Sequence, residues 1–371
     1  MKRLRIERFK CYTEHEFEMR PLVVLTGVNS SGKTSFMQSL LLAQIASSQN
    51  GPVALNGHSG LNLGEAKDVL SSRAAPEDEI VVAVMDDTEQ WSEWRFGVGE
   101  PEERRGYLDV AKRPPTPPLG FVAGENSFAY LSAERFGPRD VLSTSSDVLS
   151  KIGVGPQGEY TAHVLALNWR HAVNARRREP SKEAANHLIR QTERWMGQIV
   201  REVEIESNWY PRTNVASLRF KSPGFSAEWT RPVNMGFGIS YALPVVVAGL
   251  TVASGGMLLV ENPEAHLHPA GQSMIGAFLV RVASDGVQVI VETHSDHVIN
   301  GIRRAIAQDN TLKAPDAILY YFGRPDGEHD GTPRIQALDV KPSGRLTDWP
   351  PGFFDQLELD LSALESFARG R

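Results

Sequence analysis

Gly27-Val28-Asn29-Ser30-Ser31-Gly32-Lys33-Thr34 fits G-x-x-x-x-G-K-[ST], the spacing of a turn that cradles phosphate. Ahead of it, Pro21-Leu-Val-Val-Leu-Thr26 is short, apolar and rich in β-branched residues, which predicts a buried strand. Behind it, residues 35–47 carry Phe36, Leu40, Leu41, Leu42 and Ile45 with no Pro or Gly, which predicts a helix. Strand, turn and helix in that order aim backbone N–H groups and the positive helix end at a phosphate chain. The residues expected around the phosphates are Gly27, Asn29, Ser30, Ser31, Gly32, Lys33, Thr34 and Ser35. Lys33 is expected to reach the outer phosphates and the Thr34 hydroxyl to hold Mg²⁺. The expected ligand is a nucleoside triphosphate.

Bulk properties narrow the setting. With 371 residues the chain can bury one large α/β core with insertions, or two domains. Hydrophobic residues make up 41% and charged residues 23%, as in ordinary globular proteins. A net charge of -6 argues against a chain that coats nucleic acid everywhere and leaves room for a local basic patch. The single cysteine, Cys11, excludes an internal disulfide and fits a reducing compartment. The start is basic but no apolar signal core follows. The longest apolar stretch, 241–253, is short and broken by Pro244 and Gly249. A soluble cytoplasmic protein, off the membrane, is the expectation.

Along the chain, Leu4–Phe9 and Glu14–Met19 alternate as paired strands do. Phe9, Lys10 and Tyr12 beside the turn either pack on adenine or belong to core and surface. Residues 80–85 and 91–97 predict a hairpin, and residues 127–132 a further strand. Residues 159–173 and 181–200 carry apolar residues at helical spacing. Between them, Arg176-Arg-Arg178, with Arg170, His171, Lys182, Arg190 and Arg194 nearby, is either a nucleic-acid or partner patch or a set of solvated faces.

The second half carries further chemistry. Gly256-Met-Leu-Leu-Val-Glu-Asn-Pro-Glu264 is an apolar strand ending in acids, and Gln288-Val-Ile-Val-Glu-Thr-His294 is a strand ending in Thr-His. Ligands of α/β sheets sit outside the carboxyl ends of the strands, so the turn, Glu261, Glu264 and His294 are expected to converge. Asn234-Met-Gly236-Phe-Gly238-Ile-Ser240 is a Gly-rich turn opening a helix, and a phosphate contact is expected there.

In combination these stretches resemble the ABC-type ATPases. His266-Leu-His268-Pro resembles the SMC-like and OLD-like branch of prokaryotic AAA-type ATPases. The match extends to a family of ATPases with a small C-terminal domain of unknown function. It is carried by Tyr130-Leu-Ser-Ala-Glu-Arg-Phe-Gly-Pro-Arg139, Gly155-Pro-Gln-Gly-Glu-Tyr160, Glu261–Pro269, Glu292–His297 and Asp348–Asp355. The implied fold is α/β, a P-loop NTPase of the ABC/SMC head type with a mixed central sheet, an antiparallel β subdomain and a helical insertion. The expected segments are 1–158, an N-terminal lobe; 159–230, the helical insertion; 231–340, a C-terminal lobe; and 341–371, a cap.

The resemblance also implies a homodimer that sandwiches two ATPs, with Gly236, Gly238 and Ser240 reaching the γ-phosphate across the interface. His294 is implied as the switch histidine, and His266 and His268 as part of the dimer-crossing loop. Relatives in anti-phage or mobile-element operons imply an effector protein as partner, with DNA as a further candidate. Where such ATPases end the acidic strand in Asp-Glu, this chain has Glu261-Asn262. Glu261 is then the Mg²⁺ acid beside Thr34. Asn262 is no general base, so that role passes to Glu264 or is missing, and hydrolysis is expected to be slow. Two other readings remain open: a nucleotide-gated scaffold with negligible hydrolysis, and a nuclease, disfavoured because no strand after His294 ends in paired acids. The histidines of these motifs are each explained by an ATPase position rather than by a transition-metal site.

Overall fold

The computed structural model describes residues 1–57, 60–100, 103–122, 126–148, 151–180, 185–224, 228–309, 311–323, 333–350, 353–354 and 360–364. Strand alternation organises it. β1 (Arg3–Phe9) and β2 (Tyr12–Glu18) form a hairpin that leads into β3 (Leu22–Gly27) and α1 (Lys33–Ser48). β4 (Val53–Ala54), α2 (Ala66–Val69), β5 (Ile80–Met85), β6 (Trp91–Gly97) and β7 (Tyr107–Lys112) follow. Together the N-terminal strands make an antiparallel sheet in the order β2-β1-β5-β6-β7-β4.

The next elements are β8 (Phe128–Leu131), β9 (Val141–Ser143), α3 (Thr161–Asn168) and α4 (Leu188–Ile199). β10 (Glu204–Tyr210) and β11 (Val215–Lys221) form a second hairpin, and β9 adds to its edge. The segment read from sequence as helical thus carries this hairpin beside its two helices. The α4 helix begins at Leu188, later than the sequence pattern suggested; residues 181–184, including Lys182, lie outside the described residues.

α5 (Phe237–Thr251), β12 (Met257–Glu261), α6 (Pro269–Ser284), β13 (Gln288–Glu292), α7 (Asp296–Asp309), β14 (Ala317–Gly323) and β15 (Arg334–Asp339) complete the chain. The central sheet runs β15-β14-β3-β13-β12-β8, parallel throughout except for β15. Strands from the first and last parts of the chain therefore share one sheet.

Both faces of this sheet are covered, which is why its strands read as unbroken apolar runs. Leu22, Val24, Leu258, Val260, Val289 and Val291 face a core shared with α3 to α7. Val23, Leu25, Leu259 and Ile290 face the other way, onto α1 and the antiparallel sheet. Full burial of each such side chain is worth about 1.5–3 kcal/mol, so the layer holds its strand ends rigidly. At the C-terminal end, Phe353 is buried against Tyr321 at 5.4 Å and Trp349 at 4.7 Å between ring centres, so the aromatic stretch seals the core. Pro351 and Gly352 lie outside the described residues. No helix among the described residues is long and apolar enough to cross a membrane.

Candidate nucleotide site

β3 delivers the Gly-rich turn to the carboxyl edge of the sheet. Gly27 has φ +126°, and a Cβ there would stand 2.2 Å from the Phe322 carbonyl oxygen on β14. Gly32 has φ +102°, with a Cβ meeting the Cys11 sulfur at 2.7 Å. Only glycine fits both places. The Tyr12 hydroxyl donates to the Gly32 carbonyl at 2.8 Å and the Ser31 hydroxyl to the Val28 carbonyl at 2.7 Å, which fixes the turn. The Lys33 ammonium lies within the turn and donates to the Val28 carbonyl at 2.6 Å and the Gly27 carbonyl at 3.2 Å. Burial pulls its pKa below the ordinary value, against the opposing pull of Glu292.

An open cleft of about 390 Å³ lies over the turn. Asn29, Ser30, Ser31, Gly32, Lys33, Thr34 and Ser35 line it on one side, Lys10 and Cys11 on another, and Glu292 and His294 close the third. Burial, with Lys33 nearby, lowers the His294 pKa and favours a neutral imidazole. Phe9 and Tyr12 are both buried in the core, Tyr12 beneath the turn it holds, so the adenine-packing alternative is corrected for these two. Lys10 remains at the cleft, bonded to Gln38 at 2.8 Å.

The acids divide between two strands. Glu261 ends β12 and Glu292 ends β13, at paired positions of adjacent parallel strands. Glu261 accepts the Tyr130 hydroxyl at 2.8 Å and the Ala133 N–H at 3.0 Å. The buried Arg135 guanidinium donates to the carbonyls of Glu261, Asn262 and Ser132, all within 2.8 Å. Burial lowers the pKa of Arg135 to about 10. Glu292 instead accepts the Thr34 hydroxyl, at 3.0 and 3.2 Å to its two oxygens. Burial and the neighbouring Glu261 push its carboxyl up to about 7, while Lys33 and Thr34 pull the other way. Glu264 accepts the Thr293 hydroxyl and the His294 N–H, each at 2.8 Å, and burial raises its pKa. β13 stands directly beside β3 and β12 is one strand further away. A hydroxyl and buried carboxylate oxygens suit a hard divalent cation, which would also offset the buried negative charge; this donor set fits Mg²⁺.

Sequence reasoning passed over Glu292, Tyr130 and Arg135. The signal for Glu292 was a charge terminating the buried run Val289-Ile-Val291. A buried carboxylate at such a position needs a partner.

The other expected residues lie outside the cleft. Gly236, with φ +86° and open space about it, precedes α5, and Phe237 is exposed. A Cβ at Gly238 would meet the His266 carbonyl oxygen at 3.0 Å. Ser240 lies in the first turn of α5. His266, at φ +60°, stacks between Phe237 and Tyr241, and the His268 side chain caps α6. Of the three consecutive arginines, Arg176 is exposed, Arg178 is half-buried and Arg177 turns inward. Arg177 is buried, paired with Asp285 at 2.7 Å and bonded to the Gly249 and Val252 carbonyls at the end of α5. Arg176 donates to Ser284 at the end of α6, and Arg178 to the Val173 carbonyl. These cations satisfy helix-end and loop carbonyls, and Arg177 is thereby withdrawn from any surface patch. Nearby, Arg190 pairs with Glu193 at 2.7 Å.

Comparison with known proteins agrees with this architecture. Two Smc heads superpose on it. One, bound to the C-terminal winged-helix domain of ScpA, has a TM-score of 0.52 at 14% identity, covering 92% of this chain and 98% of the other. The second, from Pyrococcus furiosus with an extended coiled coil and bound to the C-terminal domain of ScpA, has a TM-score of 0.53 at 11% identity and covers 99% of both. At such identities the likeness establishes the fold. No curated protein matches the sequence. Residues 178–299 match the AAA ATPase domain, a span holding both acidic strand ends and His294, and residues 312–364 match a protein of unknown function, DUF3696. Part of this chain is thus similar to the AAA ATPase domain and a later part to DUF3696, on a fold like that of the Smc heads.

Proposed function

We propose that this protein is a Mg²⁺-dependent ATPase whose subunits close on each other around ATP and so control a partner protein or a DNA-bound assembly. The observation that carries the reading is the convergence of Lys33, Thr34, Glu292 and His294 on one cleft above the Gly-rich turn. Lys33, released from the Gly27 and Val28 carbonyls, would pair with the outer phosphates, and the turn's N–H groups would hold the rest. Thr34 would hold Mg²⁺ with an acid from the neighbouring strand ends, for which the resemblance names Glu261. The ion, when bound, would supply positive charge against the charge that develops on phosphoryl transfer. His294, held toward the neutral form, would contact the γ-phosphate. Glu264, tied to the His294 backbone, would orient the attacking water.

The dimeric part of the proposal is supported by the α5 turn. Gly236, Gly238 and Ser240 lie outside the cleft, where a second subunit's phosphate could meet the N–H groups that open α5. An effector protein as partner, a role in anti-phage defence and a cytoplasmic setting rest on family analogy. The ScpA domains on the Smc heads are a precedent for a bound partner.

One observation favours a nucleotide-gated scaffold as the second reading. Both Glu264 oxygens are already engaged, by Thr293 and His294, and Asn262 supplies no base. The deciding experiment is ATP turnover with Mg²⁺, with and without double-stranded DNA, alongside mass measurement in solution. For the ATPase, Glu264→Gln should lower turnover by about 100-fold or more and accumulate an ATP-bound dimer. Wild-type turnover no higher than that of Lys33→Ala would leave the scaffold. A protein that stays monomeric with ATP in both forms would remove the dimer.

A further inference from the structure

The two strand-end glutamates are alike in sequence and differ in what they face. Glu261, assigned to the metal by resemblance, has a neutral hydroxyl on one oxygen and a backbone N–H on the other, and is absent from the cleft wall. Both residues are 6% exposed, but Glu292 lies in that wall and presents both oxygens to the Thr34 hydroxyl. The strand order explains the difference, since β13 adjoins β3 and pairs with it at Glu292–Leu25.

We infer that Glu292 is the carboxylate that contacts the metal beside Thr34, and that Glu261 stands behind it as a positioning residue fixed by Tyr130 and Ala133. A carboxylate already within 3.2 Å of the Thr34 oxygen needs only a small retreat to share a hard cation with that hydroxyl. Glu261 would first have to leave two hydrogen bonds in a buried wall, where replacing each partner is costly. This inference rests on the nucleotide reading above.

The sign of the charge effect separates a metal ligand from a structural residue. Without metal, Glu292 repels the phosphates; with metal, it recruits them. Binding of a fluorescent N-methylanthraniloyl ATP is measured in Mg²⁺ and in EDTA for wild type, Glu292→Gln, Glu292→Asp and Glu261→Gln. Wild type should gain roughly 10–100-fold in affinity from Mg²⁺, and Glu292→Gln should keep only about twofold of that gain. In EDTA, Glu292→Gln should bind as tightly as wild type or more tightly. Glu292→Asp, which keeps the carboxylate, should retain part of the metal effect, and Glu261→Gln should lose less of it than Glu292→Gln. A Glu292→Gln protein with the full wild-type metal effect overturns the assignment alone. So does a loss of affinity equal in Mg²⁺ and EDTA. Absence of binding by wild type in both conditions overturns the nucleotide reading and the assignment with it.

Discussion

Glu261 and Glu292 end neighbouring parallel strands at the same level, yet one is walled in and the other is turned to the phosphate turn. On the β12 side, Tyr130, Ala133 and Arg135 satisfy the strand end with neutral and cationic donors. On the β13 side, the donor to the carboxylate among the described residues is the Thr34 hydroxyl, with Lys33 nearby. The contrast teaches that the identity of a residue in a motif does not fix its role here. The glutamate on the strand beside β3 meets Thr34, and the one a strand further away meets Tyr130.

Removing the clamp should break the β12 side most severely. Arg135→Ala strips donors from three carbonyls around Glu261, and hydrogen bonds of charged donors imply a loss of about 3–5 kcal/mol in denaturant unfolding. A loss below about 1 kcal/mol would mean the wall is not held by this residue.

The β13 side should show itself through pH. A carboxyl raised to about 7 in the fold contributes stability that is complete below its unfolded pKa and disappears as pH rises through 7. Between pH 4.5 and 7.5, metal-free wild type should therefore lose about 2–3 kcal/mol relative to Glu292→Gln, which does not titrate. Parallel stability curves for the two proteins would show that Glu292 is not strained by its neighbours.

The smallest effect concerns a single hydroxyl. Tyr130→Phe leaves Glu261 with the Ala133 N–H alone and should cost about 1–2 kcal/mol, read by thermal unfolding. Its affinity for ATP in EDTA should remain within about twofold of wild type, because Tyr130 is not among the residues that line the cleft. A large affinity loss would show that the β12 wall reaches the nucleotide directly.

Legibility in the sequence followed locality. The P-loop, β3 and α1 are contiguous, and their spacing, glycines and apolar runs were enough to predict strand, turn and helix. The strands at residues 80–85, 257–261 and 288–292 were readable for the same reason. Glu292 was not, because its role depends on β13 lying between β3 and β12, a neighbourhood formed by segments far apart in the chain. Arg177 misled in the opposite direction. A cationic cluster looks the same in sequence whether it meets solvent or helix-end carbonyls, and only packing placed Arg177 against Asp285. The β10–β11 hairpin was missed because its turn, Pro211–Asn214, lacks the Asn-Gly or Asp-Gly signal and takes its left-handed positions at Arg212 and Asn214.

The most direct test of the account is calorimetric titration of ATP with Mg²⁺ into the wild-type protein and Lys33→Ala at pH 7.5. The account predicts one ATP bound per chain by wild type, and affinity at least about 100-fold weaker in the variant, because a charge-assisted phosphate contact in a buried site is lost. Equal affinity in the two proteins would contradict it, since the nucleotide would then lie somewhere other than the turn at Gly27–Thr34.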